Sequence, residues 1–133
     1  MDLKPGAVGE VEVVVTPEQT ADAMGNRGVM VFATPFLIGL LEDAAGVIIQ
    51  PHLPPGAGTV GTTVEMRHLA ATPLGMKVRA RAELLETDGK RFLFRVEAFD
   101  EVEKVAEGKH ERYVIPSLEK FLNRAMAKGK PRG

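Results

Sequence analysis

Residues 8 to 15, VGEVEVVV, alternate with the two-residue period of a strand, and Thr16-Pro17-Glu18 then carries the signature of a helix start, so a short helix or turn follows. Segment 29 to 33, VMVFA, leads into Thr34-Pro35. There Thr34 is suited to an N-cap and Pro35 to the first position of a central helix that ends before Pro51. The Pro- and Gly-dense stretch HLPPGAG, 52 to 58, reads as a loop. Four strand-like stretches follow, at 59 to 69, 76 to 87, 91 to 100 and 104 to 115. Turn signals separate them at Thr72-Pro73-Leu74-Gly75, at Asp88-Gly89 and near Asp100 to Glu103. In the second stretch Val78, Ala80, Ala82 and Leu84 face one way and Lys77, Arg79, Arg81 and Glu83 the other; the third repeats this with Phe92, Phe94, Val96 and Ala98. Ser117 caps a short terminal helix to Ala127, and the basic tail KGKPRG, from residue 128, is expected to be disordered.

These elements predict an α+β fold in which one antiparallel sheet wraps around one long helix. A single helix on a single sheet leaves edges and apolar surface uncovered, so a homodimer is expected. The length, 133 residues with 44% hydrophobic content and no linker-like composition, sets one compact domain over residues 1–133.

The central run, PFLIGLLEDAAGVIIQ, places two carboxylates, Glu42 and Asp43, in a helix that is otherwise apolar all round. An ionised carboxylate in such surroundings costs several kcal/mol unless it is paired, hydrogen-bonded or chemically useful. Burial also moves a carboxyl pKa toward neutrality, where general-base work is efficient. Glu42 or Asp43 is therefore the first place to look for chemistry, with Asp43 the better suited of the two to a solvated or interface position.

Composition removes other chemistries. The chain has no cysteine, which excludes disulfides and thiolate catalysis, and its three histidines, His52, His68 and His110, match no local metal motif. Lys and Arg number 17 against 18 Asp and Glu, so no basic field recruits nucleic acid. No apolar run approaches a membrane span, and the first segment lacks the features of a signal peptide; a soluble, cytoplasmic protein is expected. Only two Asn and two Gln stand beside many Glu, Lys and Arg, a bias that suggests a thermophilic source.

Alternation through 59 to 69 puts Val60, Thr62, Val64, Met66 and His68 on one face, opposite Thr59, Thr63, Glu65 and Arg67. His68 then points toward the helix, where it can meet Glu42, or Thr34 at the helix start. A hydroxyl, a carboxylate and a histidine are the side chains that acyl transfer needs. Thr34 and Glu42 lie eight residues apart, roughly 12 Å along a helix at about 1.5 Å per residue, so substrate or His68 would have to bridge them. Each residue has a plainer reading: Thr34 as a helix cap, Glu42 as an interface carboxylate, His68 as a core histidine, and His52 as an exposed loop residue. Gly61 fits either a β-bulge or a close backbone approach.

FATPFLIGLLED, GTVGTTVEMRHLAATPLG and GKHERYVIPSLEKF resemble, in order and spacing, the hotdog-fold thioesterases and within them the fluoroacetyl-CoA thioesterase group. The resemblance implies a hotdog fold and hydrolysis of small acyl-CoA thioesters, with catalytic residues at Thr34, Glu42 and His68. Gly61 and Arg112 become candidate substrate-binding residues, although a structural role competes for Arg112 and for His110. It implies CoA as part of the substrate and no prosthetic cofactor or metal. The similarity departs in two respects. Met24-Gly25-Asn26-Arg27-Gly28 has no aromatic where fluoroacetyl-selective members close their pocket with phenylalanine, and Asp43 replaces a large aromatic. A non-catalytic acyl-CoA-binding or regulatory module is the competing reading, and a hydratase on the same fold a third.

Overall fold

The computed structural model of the chain describes residues 2–129; residues 130–133 of the basic tail, expected to be disordered, lie outside the described residues. In chain order the elements are β1 (Val8–Val14), α1 (Thr34–Ile49), β2 (Gly58–His68), β3 (Lys77–Thr87), β4 (Arg91–Asp100), β5 (Lys104–Ile115) and α2 (Leu118–Met126). The sheet order is β1-β3-β4-β5-β2, antiparallel at every pairing, so β1 and β2 form its two edges. The α+β expectation holds, with the four later strands within a residue of their expected bounds.

Helix α1 lies across the sheet. It buries Leu37, Leu40, Leu41, Ala44, Ala45, Ile48 and Ile49 against Val78, Ala80, Ala82 and Leu84 of β3 and Phe92, Phe94, Val96 and Ala98 of β4. These are the faces that the strand alternation predicts. The helix is not buried all round, however: Phe36 and Val47 are exposed, as is Asp43 between them. These positions, with Gly39 and Gly46, form one stripe at helical spacing that the protomer leaves open.

The helix start also differs from expectation. Ala33, not Thr34, is the N-cap, and its carbonyl accepts from the N–H groups of Phe36 at 3.1 Å and Leu37 at 3.0 Å. Thr34 is the first helical residue, and its hydroxyl is released from capping. Thr16-Pro17 begins a single turn of 3-10 helix at Pro17–Gln19, closed by the Gln19 Oε1 accepting from the Thr16 N–H at 3.0 Å. Ser117 caps α2 as expected, accepting from the Lys120 N–H at 3.2 Å, and a last 3-10 turn at Ala127–Gly129 includes the first two residues of the expected disordered tail.

Edge strand β1 sits close on the helix through a glycine. A Cβ at Gly9 would collide with the Ala44 carbonyl and lie 2.7 Å from Ile48 Cγ1 and 2.9 Å from Val47 Cγ2. The carbonyl belongs to the helix backbone and cannot swing aside, so β1 would have to lift. Gly9→Ala is expected to destabilise the protein by about 1–3 kcal/mol, read as a lower urea midpoint.

Candidate active site

The break in register of β2 decides what faces the helix. Gly61 pairs with Arg112 but Thr63 pairs with Glu111, so Thr62 is an extra residue, and its hydroxyl donates to the Glu111 carbonyl at 3.2 Å. Inserting one residue inverts the alternation before it. Thr59 and Gly61 therefore join Val64, Met66 and His68 on the helix side, while Val60 turns away beside Tyr113. The expected grouping of Val60 and Thr62 with His68 is corrected accordingly, and of the two readings of Gly61 both hold: it adjoins a bulge and it makes room.

His68, at the end of β2, meets Thr34 and not Glu42. Thr34 Oγ1 lies 2.8 Å from His68 Nδ1, while Nε2 is buried without a hydrogen-bond partner among the described residues. With Thr34 donating to Nδ1, the neutral ring carries its hydrogen on Nε2. Burial lowers the His68 pKa below its ordinary 6.5, with the backbone of Ala70 opposing in part. Burial thus favours the neutral ring, whose Nδ1 can take the Thr34 proton. Pro35 has no N–H, and those of Phe36 and Leu37 are used by Ala33, so Thr34 supplies the helix-start amide with no partner among the described residues.

A second cluster surrounds Glu42, about two turns further along α1. Its Oε2 is 3.4 Å from Arg112 Nη1 and 4.0 Å from His110 Nε2, and the side chain keeps 35% of its exposure. It is therefore half-buried and ion-paired, not sunk in apolar surroundings. Arg112, by contrast, is 13% exposed and directs its guanidinium inward. Nε and Nη2 donate to Thr59 Oγ1 at 3.1 and 2.9 Å, Nη2 also reaches the Thr59 carbonyl at 3.4 Å, and Nη1 serves Glu42 and His110. Burial lowers its basicity while Glu42 and Asp43 restore part of it, and a guanidinium stays charged throughout. Gly61 lies beneath: a Cβ there would collide with Glu42 Oε2, stand 2.9 Å from His110 Cε1 and 3.4 Å from Arg112 Nη1.

Glu42 and Arg112 open onto a cleft of about 830 Å³, lined also by Asp43, Val47, Thr59 and Leu118. Asp43 is exposed and borders both this cleft and a smaller one of about 180 Å³ beside Phe32, Phe36 and Leu40. The structure thus brings Thr34 and His68 together, and Glu42, Gly61 and Arg112 together, without joining the two groups in one protomer. His52 is exposed, as expected. Among the described residues no group of acidic or histidine side chains is placed to hold a metal ion, and no helix is long and apolar enough to cross a membrane.

The family model of the fluoroacetyl-CoA-specific thioesterase FlK matches residues 15–118. The chain belongs to this family. It is 47% identical over 91 residues to the fluoroacetyl-CoA thioesterase of Streptantibioticus cattleyicolor, a match covering 68% of this chain and 65% of that relative. A threonine-to-serine mutant of FlK, solved in complex with acetyl-CoA, superposes with a TM-score of 0.90 at 36% identity, covering 96% of this chain and 100% of that one. A hot-dog-like protein from Thermanaerovibrio acidaminovorans, at 24% identity, has a TM-score of 0.88 with 99% of this chain and 100% of that one covered. The fold is the hotdog fold of this thioesterase family, as the sequence motifs implied.

Thr59 is the contributor that sequence reasoning missed, and His110, read there toward a structural role, joins the same cluster. His110 stands two residues before Arg112, and strand alternation puts both on one face; that spacing was the available signal. Thr59 became visible only with the bulge. If the convergence at Gly61 matters, Gly61→Ala will displace the Glu42 carboxylate, the mobile end of the clash, while the fold persists. Turnover should fall by about tenfold or more with a loss in stability of about 1–3 kcal/mol, measured by steady-state kinetics and thermal melts.

Proposed function

We propose that the protein hydrolyses small acyl-CoA thioesters to the free acid and CoA. The observation that carries this reading is the 2.8 Å contact between the Thr34 hydroxyl and a histidine ring kept neutral by burial. As Thr34 Oγ1 attacks the thioester carbonyl, its proton passes to His68 Nδ1, and the developing oxyanion lies near the Thr34 N–H at the positive end of α1. The C–S bond breaks, the CoA sulfur takes the proton back from His68, and water activated by Glu42 releases the acid and restores Thr34. A direct route, in which Glu42 itself attacks or activates water on the thioester, uses the same residues. Gly61 and Arg112 form the wall against which the thioester lies. CoA enters as substrate, and no prosthetic group takes part.

A homodimer completes the site on this reading. β2 is an edge strand, and the open stripe of α1 carries exposed Phe36 and Val47. Two β2 strands paired antiparallel about an axis midway between Gly61 and His68 place the first of one protomer opposite the second of its partner. The Glu42 cluster of one chain then faces the Thr34–His68 pair of the other. The acyl group is small and need not be fluorinated: Met24 to Gly28 form an exposed turn with Gly25 and Gly28 at φ of 99° and 84°, and offer no aromatic to close a gate. A cytoplasmic setting accords with a CoA substrate. Heat adaptation accords with the ion-pair lattice on the outer face of the sheet, where Arg81 meets Glu10, Glu83 and Glu97, and Lys104 meets Glu97 and Glu107.

Thiol release from short acyl-CoA substrates is the direct test; saturable binding without release would leave the acyl-CoA-binding module as the reading. Thr34→Val and Glu42→Gln should each lower kcat by about 10²–10⁴-fold. Mixed and allowed to exchange, the two inactive proteins should recover about a quarter of wild-type activity, because half the dimers then hold one intact site of two. No recovery from a verified heterodimer would place Thr34 and Glu42 in one protomer's site.

The pH profile has a determined sign. His68 works neutral and its pKa is lowered from 6.5, so kcat/KM should hold as pH falls through 6.5 and decline only below it. A decline centred above pH 6.5 would remove His68 from the proton transfer.

A further inference from the structure

His110 of β5 takes no part in the reaction just described, yet it is fully buried and polar, stacked on Phe94 at 6.3 Å between ring centroids. Its Nδ1 lies 2.8 Å from the Thr63 carbonyl, next to the bulge in β2, and its Nε2 lies 3.2 Å from Arg112 Nη1. A carbonyl only accepts and a guanidinium only donates. The contacts therefore fix the tautomer: Nδ1 carries the proton, and the Nε2 lone pair faces Arg112. Protonation at Nε2 would set two donors against each other in a buried space.

Arg112 Nη1 carries two N–H groups and faces two acceptors, His110 Nε2 at 3.2 Å and Glu42 Oε2 at 3.4 Å. The second distance is long for a charge-assisted bond, which closes to about 2.7–2.9 Å when both partners are free to approach. Thr59 holds the far edge of the guanidinium, so the group cannot rotate to satisfy Glu42 alone while His110 retains its hold. We infer that His110 is a positioning residue: by binding Arg112 it keeps the guanidinium from capturing Glu42, and so leaves the carboxylate free to work. The inference rests on the reading of Glu42 as base or nucleophile. Gly61 belongs to the same device, since its bare Cα is what permits the imidazole, the guanidinium and the carboxylate to meet.

Two variants separate this role from simple core packing. The side-chain amide of His110→Asn falls where Nδ1 was; it can keep the Thr63 bond but offers nothing to Arg112. That of His110→Gln reaches the Nε2 position and restores an acceptor for the guanidinium. With acetyl-CoA as the probe, His110→Asn is expected to lower kcat by about tenfold or more with KM within about twofold, and His110→Gln to stay within about threefold of wild type. Equal losses in both variants, or kcat unchanged in His110→Asn, would overturn the inference. Should either variant fail to fold, imidazole ¹⁵N chemical shifts of the unmodified protein at pH 7 serve in its place. A proton on Nδ1 alone supports the role, and a proton on Nε2 ends it. Absence of thiol release from the unmodified protein, with the Nδ1 tautomer intact, would instead overturn the hydrolase reading on which this one stands.

Discussion

An extra residue in β2, Thr62, inverts the strand's alternation over its first half, and the placement of the Glu42 cluster follows from it. With regular pairing Gly61 would turn to the outer face, and a larger side chain would stand between β2 and the carboxylate. With the bulge, the helix side of β2 and β5 presents Thr59, Gly61, His110 and Arg112 to Glu42. An insertion of this kind changes the face in mid-strand at small cost to the ladder, which loses pairing at one residue and resumes beyond it.

The acid side of the site is then an exercise in balanced attraction. A half-buried carboxylate without a cation is costly, while one locked in a tight bidentate pair is a poor base. Glu42 sits between these limits, 3.4 Å from Arg112, near enough to be held and, on the proposed reading, far enough to act. The arginine is anchored from the other side by Thr59 and His110, so its charge is present without its geometry closing on the acid. At the far end of the site the logic is reversed. His68 has no carboxylate partner among the described residues; burial lowers its pKa, and its side-chain contact is the Thr34 hydroxyl that it would deprotonate on the proposed reading.

Division of these groups between two places in one chain gives the hotdog dimer a chemical purpose on the proposed reading. The stripe of α1 from Phe36 to Val47 and the free edge of β2 are the surfaces that a second copy would cover. Covering them would also dry the cleft, strengthening every charge interaction inside it. Asp43 is exposed and borders two clefts on this surface, to which it brings a negative charge.

The sequence by itself determined the elements and the faces of the regular strands. Periodicity is a local property, and Val78 to Leu84 and Phe92 to Ala98 are buried where two-residue alternation puts them. Its motifs also determined the family and singled out Thr34, Glu42 and His68. Tertiary structure alone decided who meets whom. Thr34 reads locally as a cap, but the chain entering α1 gives that duty to the backbone of Ala33 and leaves the hydroxyl to His68. Alternation carried through β2 misplaces Val60, Thr59 and Gly61, because a bulge is set by pairing with β5 and not by the strand's own pattern. The grouping of His110, Arg112 and Glu42 joins residues up to 70 apart in the chain. Such a contact has no period to announce it: it exists only where the helix, the bulged edge and the last strand are packed within hydrogen-bond reach.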